Sequence, residues 1–251
     1  MSRPLALVTG GMRRLGAIIA ARLAEAGYDL ALSSHGDGKP EPGLAHVLEK
    51  SGLQWQHFAA DLSDPLQAEE LIQSLCSHFG RAPDLLVNNA AMFGQDDWSM
   101  MDAASLAAHF QLNLFSPLLL SKALVEAAGK DQQPAIVHIV DQRIQNPNGD
   151  QLSYTLSKQA LAQSVRTLAM AFGSRARVNG VAPGLVIPTD DYDDRQMQLL
   201  ASEMPLGNLP DPANVAEAVL YLAKARDVTG QILFVDGGAN LKSFSRDFMH
   251  L

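Results

Sequence analysis

The chain predicts an α/β fold: a doubly wound parallel sheet of about seven strands with helices on both faces. Three observations carry that expectation. Short apolar runs alternate with longer segments of helical periodicity along nearly the whole length. The short runs are rich in Val, Ile, Leu and Ala on both faces, as strands covered on both sides require. No repeat, low-complexity tract or linker divides the 251 residues, so residues 1–251 read as a single domain.

Each element has a local reason. Residues 5–9 form the first strand candidate, and residues 14–26 follow with apolar side chains at helical spacing (Leu15, Ile18, Ile19, Leu23) until Gly27 stops them. Residues 29–33 are a second strand, 36–43 a Gly/Pro-rich loop, and 44–50 a short helix. Residues 55–60 are a third strand. Asp64-Pro65 reads as a cap and first helical residue, opening a helix to about Phe79. Residues 85–88 are a fourth strand. A long helix over 103–128 carries Asn113, and Pro117 should bend or break it. Residues 135–140 are a fifth strand, 153–172 a helix and 177–182 a sixth strand. Residues 183–210 are an irregular stretch rich in Pro and Asp. Asp211-Pro212 opens a helix to Lys224, and residues 232–235 are the last strand. Such alternation implies right-handed helical crossovers between parallel strands.

Composition narrows the function classes. With 47% hydrophobic and 18% charged residues, this is an ordinary globular composition. The net charge of −8 argues against a nucleic-acid binder that relies on general phosphate attraction. The lone Cys76 leaves no intramolecular disulfide and no multi-cysteine metal site, and its apolar helical setting reads as packing. No signal peptide and no stretch of about 20 apolar residues is evident, so no membrane anchor is expected and the cytoplasm is the default location.

Several groups point to chemistry. Thr9–Gly16 reads TGGMRRLG, between the first strand and first helix. Glycines there let the backbone approach a pyrophosphate, and the helix N-terminus offers free N–H groups. The G-x-G-x-x-G pattern is absent, because Arg14 stands where a glycine is expected. Arg13 and Arg14 suit a pyrophosphate or a phosphorylated ribose. The second strand ends in Ser33, Ser34 and His35 rather than an acid, which favours NADPH over NADH, with Asp37 as the competing feature. Asp61 closes the third strand as an adenine contact or a solvated turn residue. Asn88-Asn89-Ala90-Ala91 places small residues where a ligand could lie close to the backbone, and Phe93 beyond it is a core plug or a stacking surface. The acidic run from Asp190 to Asp194 is a solvated loop or part of a substrate lid over 187–210. Tyr154 and Lys158 lie four apart on one helical face, where the ammonium should lower the Tyr pKa and make it a proton donor. Asp141 ends the fifth strand upstream of them.

Taken in order, Thr9–Gly16, Asn88–Ala90, Asn113, Tyr154-x-x-x-Lys158, Pro183-Gly184 and Asp236-Gly237-Gly238 give the chain a resemblance to the short-chain dehydrogenase/reductase family. The resemblance implies a Rossmann-type nucleotide-binding domain, hydride transfer from a nicotinamide and a tetramer or dimer, with a homotetramer favoured. Arg14 in T-G-x-x-x-R-x-G, Asp141 in place of the usual serine and Phe93 after N-N-A resemble the pteridine reductase branch, which includes dihydromonapterin reductases. On that resemblance Tyr154 donates the proton and Lys158 holds the nicotinamide ribose. Asp141 sits beside Tyr154, and Asn113 supports Lys158 through a water. Gly10, Arg13, Arg14, Leu15, Ser34, His35, Asp61, Leu62, Asn89, Ala90, Pro183, Gly184 and Val186 would line the cofactor, and Arg14, Phe93, Asp141 and Tyr154 the pterin. Ala91 lacks a hydroxyl found in some pteridine reductases. Pro188 falls where many members place a Thr, with Thr189 one residue late. The competing reading is a carbonyl reductase acting on a 3-oxoacyl thioester or another ketone. The apolar residues of the tail, Phe244, Phe248 and Met249, suggest docking on a neighbouring subunit.

Overall fold

The strands expected from the sequence pair into one seven-stranded parallel sheet of order β3-β2-β1-β4-β5-β6-β7. They are β1 (Leu5–Thr9), β2 (Asp29–Ser34), β3 (Trp55–Ala59), β4 (Leu85–Asn88), β5 (Ala135–Ile139), β6 (Arg177–Pro183) and β7 (Ile232–Val235). The structure is a computed structural model that describes residues 3–188 and 192–250. Central β1 shows why a continuous apolar run is needed. Ala6 and Val8 pack on one face, with Leu30 and Leu32, against helix α1 (Arg14–Glu25) and α8 (Pro212–Lys224). Leu5 and Leu7 pack on the other, with Leu86 and Ile136, against α3 (Pro65–Phe79) and α5 (Ser116–Ala127). The edge strands β3 and β7 are only partly buried.

Helix starts follow the predicted chemistry. Asp64 Oδ1 accepts from the Leu66 N–H at 3.0 Å, with Pro65 in the first turn, and Asp211 Oδ1 accepts from Ala213 N–H at 2.8 Å before Pro212. Each such cap contributes about 1 kcal/mol. The short α2 (Pro42–Ser51) covers α1. The expected helix over 103–128 is divided: α4 (Ala103–Phe110) runs into a π-helical turn (Gln111–Phe115) and then α5. Pro117 has no N–H for the carbonyl of Asn113, and the widened preceding turn accommodates that loss. The stretch Ala103–Ala127, with mean hydropathy 1.2 over its best window, reaches the length and apolarity of a membrane span, contrary to expectation. A third of that window is buried in the fold, where Leu120, Ala123 and Leu124 sit in the core beside β4 and α3.

One further departure concerns residues 183–210. A helix, α7 (Asp194–Glu203), forms there, because Asp193 caps it through Gln196 N–H at 2.7 Å. Half of the acidic run is thus a helix start. Thr189, Asp190 and Asp191 lie outside the described residues. Cys76, on α3, is half-buried against the core, and burial raises its thiol pKa.

Candidate active site

The chain runs outward from β1 to β3 and then returns to place β4 beside β1. The crevice above the carboxyl ends of β1 and β4 is therefore the switch point where such sheets bind ligands. Gly10 follows β1 with φ +60°. A Cβ on Gly16 would lie 2.0 Å from the Gly10 carbonyl and 2.7 Å from Asn89 Nδ2, so nothing larger than hydrogen fits. Arg14, standing where glycine is usual, adopts φ +51°. That conformation costs a non-glycine residue about 1 kcal/mol or more. The Arg14 N–H donates to Glu41 Oε1 at 2.8 Å, which helps to hold it there. The amide of Asn89 donates to the carbonyls of Thr9 (2.9 Å) and Gly10 (3.3 Å), and Thr9 Oγ1 accepts from the N–H of Asn89 and Ala90, each at 3.0 Å. Asn89 thus shapes the crevice by bolting its two loops together.

At the outer end of the crevice stand the groups expected to read the ribose. Ser34 Oγ is 2.9 Å from His57 Nε2. His35 is exposed and 3.8 Å from Asp61. Asp61 Oδ1 accepts from Ser63 Oγ at 2.6 Å and from its N–H at 2.9 Å, so part of this carboxylate closes a turn. Asp37 is engaged by the Lys39 N–H at 3.3 Å, by Lys39 Nζ at 3.8 Å and by Arg13 at 3.5 Å. Arg13 and Lys39 thus bring two exposed cations to this end of the crevice. Leu62 buries its side chain, and Leu15 and Val186 bury theirs in part against the core. Pro183 ends β6, and Gly184 passes so near Asp236 that an added Cβ would sit 2.9 Å from its Cα.

The reactive groups meet where β5 ends and α6 (Leu152–Phe172) begins. Tyr154 Oη donates to Asp141 Oδ2 at 2.9 Å, and Asp141 Oδ1 accepts from the Arg143 N–H at 2.9 Å. One turn on, Lys158 Nζ donates to the Ile139 carbonyl at 2.7 Å and lies 5.8 Å from the Tyr154 ring centre. Burial pushes the Lys158 ammonium down to about 8. The expected lowering of the Tyr154 pKa by Lys158 is not what the surroundings produce. Burial raises it well above its ordinary value, the Asp141 carboxylate adds to that, and Arg143 is the cation that opposes both. The side chain of Asn113 is spent on the backbone of Met92 (2.9 and 3.0 Å) and on Ser157 Oγ (3.0 Å). Any link to Lys158 therefore falls to its main-chain carbonyl.

Arg14, Phe93, Asp141 and Tyr154 line one cleft of about 480 Å³ with Arg143, Gln95, Leu185, Tyr192, Phe248 and Met249. Phe93 is half exposed, and its ring lies 4.9 Å from that of Tyr154 at 69°. Four of these groups were anticipated together. Arg143, Gln151 and Asp247 were not. Arg143 Nη1 donates to Gln151 Oε1 at 2.7 Å, Nη2 to Asp247 Oδ2 at 2.6 Å, and the guanidinium lies 5.6 and 5.7 Å from the Phe93 and Tyr154 rings. The signal for Arg143 was a charge four residues past an apolar strand, at the end of the sheet where ligands bind. The tail, expected to dock on a neighbouring subunit, turns back onto its own chain at Phe248. Phe248 packs on Leu200, Met204 and Ala239 of its own chain, because the apolar face of α7 provides the seat. Docking on a neighbour is not needed to bury it.

A switch-point crevice opening onto a buried Tyr–Lys pair defines a nucleotide-dependent oxidoreductase. A family profile described as Enoyl-(Acyl carrier protein) reductase matches residues 11–240. The chain is 32% identical to 3-oxoacyl-(acyl-carrier-protein) reductase FabG of Escherichia coli (strain K12), over 93% of this chain and 96% of that protein. It is 31% identical to pteridine reductase 1 of Leishmania tarentolae, covering 95% and 96%. The crystal structure of FolM alternative dihydrofolate reductase 1 from Brucella suis in complex with NADP superposes with a TM-score of 0.87 at 32% identity, over 98% of each chain. The chain belongs to the short-chain dehydrogenase/reductase family.

Proposed function

We propose that this protein reduces a dihydropterin or dihydrofolate to its tetrahydro form with NADPH. The observation that carries the reading is the carboxylate of Asp141 in hydrogen bond with the Tyr154 hydroxyl, in a cleft walled by the exposed ring of Phe93. A carboxylate there can accept from ring N–H and amino groups, which a pterin has. A ketone gains less, because a negative charge opposes a developing alkoxide. Stacking on Phe93 contributes roughly 0.5–1.5 kcal/mol beyond burial of the flat ring.

The crevice fits a dinucleotide. Helix α1 begins without a side-chain cap and with no acid in its first turn, beside the Gly10–Gly16 cradle. Arg13, Ser34, His35 and Lys39 suit a 2′-phosphate, and the NADP complex of the FolM relative supports the same choice. Bound NADPH supplies the hydride. Tyr154 supplies the proton from Oη to the substrate nitrogen. The raised pKa keeps that proton in place until the nitrogen becomes basic enough to take it. Asp141, whose side chain is 19% exposed, is the route by which solvent returns a proton to Oη. Lys158 holds the ribose and places a positive charge near the phenolate that forms.

Reduction of a 3-oxoacyl thioester is the second reading, favoured by the similarity to FabG. Loss of NADPH absorbance with dihydrobiopterin, dihydromonapterin or dihydrofolate, run beside a 3-oxoacyl thioester and NADH, separates the two. Turnover of the thioester alone replaces the pterin reading.

A further inference from the structure

We propose that the C-terminal segment is a working wall of this chain's own active site, with Asp247 a positioning residue that holds Arg143 against Phe93 and Tyr154. The proposal rests on the reading of Tyr154 as proton donor. The segment is fastened at several points. Arg246 pairs with Asp150 at 2.9 Å, the Asp247 N–H donates to the same carboxylate at 2.7 Å, and Gln196 on α7 donates to the Phe248 carbonyl at 3.0 Å. Asp247 is 1% exposed, and its carboxylate takes Arg143 Nη2 at 2.6 Å and the Met249 N–H at 3.1 Å. Two hydrogen-bonded side chains complete the frame: Gln151 holds Arg143 on its other side and donates to Gln95 Oε1 at 3.0 Å. Gln151 does so from φ +47°, a conformation unfavourable for a side chain of that size and kept by its surroundings.

A buried ion pair is a weak way to stabilise a fold, since desolvation offsets most of the attraction and an apolar pair packs as well. The direction of this one gives it a use. The guanidinium faces the two rings that border the cleft, and Phe93 is half exposed, so little else fixes the angle at which it meets a flat substrate. Phe248 and Met249 close the same cleft from the tail side.

The test compares Asp247→Asn, the double variant Arg143→Met/Asp247→Leu and Tyr154→Phe, with dihydrobiopterin as substrate. The double variant removes both buried charges together and puts apolar side chains in their place, so it should melt nearer to the wild type than Asp247→Asn does. NADPH affinity should be that of the wild type, while kcat falls on the order of tenfold or more, the loss of the cation beside Asp141 and Tyr154 adding to the misplaced rings; Asp247→Asn keeps that cation and reads the misplacement without it. Asp247→Asn should show a fall in kcat together with a lower melting temperature, because Arg143 loses the carboxylate at 2.6 Å and keeps only that of Asp141 at 3.8 Å. Wild-type kcat and KM in the double variant would overturn the proposal. So would a uniform loss of kcat, NADPH affinity and melting temperature, which would make the pair structural only. Turnover retained by Tyr154→Phe would instead remove the reading on which the proposal rests, whatever the Asp247 variants do.

Discussion

Replacing Lys158 with Met should stabilise the protein at neutral pH, and the advantage should vanish as the pH rises. Lys158 is 3% exposed, and burial lowers its pKa from 10.5 to about 8 against the pull of the Asp141 carboxylate. Between those two values the unfolded chain holds the proton and the folded chain releases it. The wild type therefore gains stability as the pH rises through that window, and below about 8 the full penalty stands. The shift corresponds to about 3 kcal/mol. Met keeps the length of the side chain without the charge, but gives up the charged hydrogen bond to the Ile139 carbonyl, which removes about 2 kcal/mol of the gain. The Lys158→Met variant should thus be more stable by about 1 kcal/mol near neutrality. Urea unfolding of the cofactor-free proteins, repeated from about pH 7 to about pH 10.5, measures the difference directly. It should change by about 3 kcal/mol across the window. Parallel stability curves would refute the argument that Lys158 is held as a desolvated ammonium.

Other expectations follow from the same geometry. Tyr154→Phe should lower turnover by roughly 10²–10⁴ while NADPH still quenches the protein fluorescence, and substantial retained turnover would remove Tyr154 from the donor role. Asp141→Ser should impair dihydropterin reduction far more than NADPH binding; equal loss of both would make the aspartate structural. Gly16→Ala should abolish NADPH binding or folding, since its Cβ would sit 2.0 Å from the Gly10 carbonyl, and a fluorescence titration matching the wild type would show that the loop yields.

The sheet was legible because each central strand had to be apolar on both faces and each helix had to carry one stripe. Ala6 and Val8 against Leu5 and Leu7 already state both faces. The spacing of Tyr154 and Lys158 was equally plain, because one helical turn fixes their relation whatever surrounds them. The π-helical turn at Gln111–Phe115 was visible only as Pro117, which says that a turn must change but not how. Helix α7 was hidden by its acids: Asp193 looked like part of a solvated run, while it serves as a cap. The Arg143–Asp247 pair joins residues 104 apart in sequence, and no local pattern encodes such a meeting. The sign of the Tyr154 pKa shift failed for a related reason. The helix shows Lys158, but burial and a carboxylate from β5 outweigh it.

The measurement that bears most directly on the account is NADPH oxidation by the purified wild-type protein, with each dihydropterin and with a 3-oxoacyl thioester in parallel. The account predicts turnover of a dihydropterin with NADPH, and slower turnover with NADH or with the thioester. Turnover of the thioester with none of any dihydropterin would contradict it, and would mean that Asp141 and Phe93 serve a carbonyl substrate.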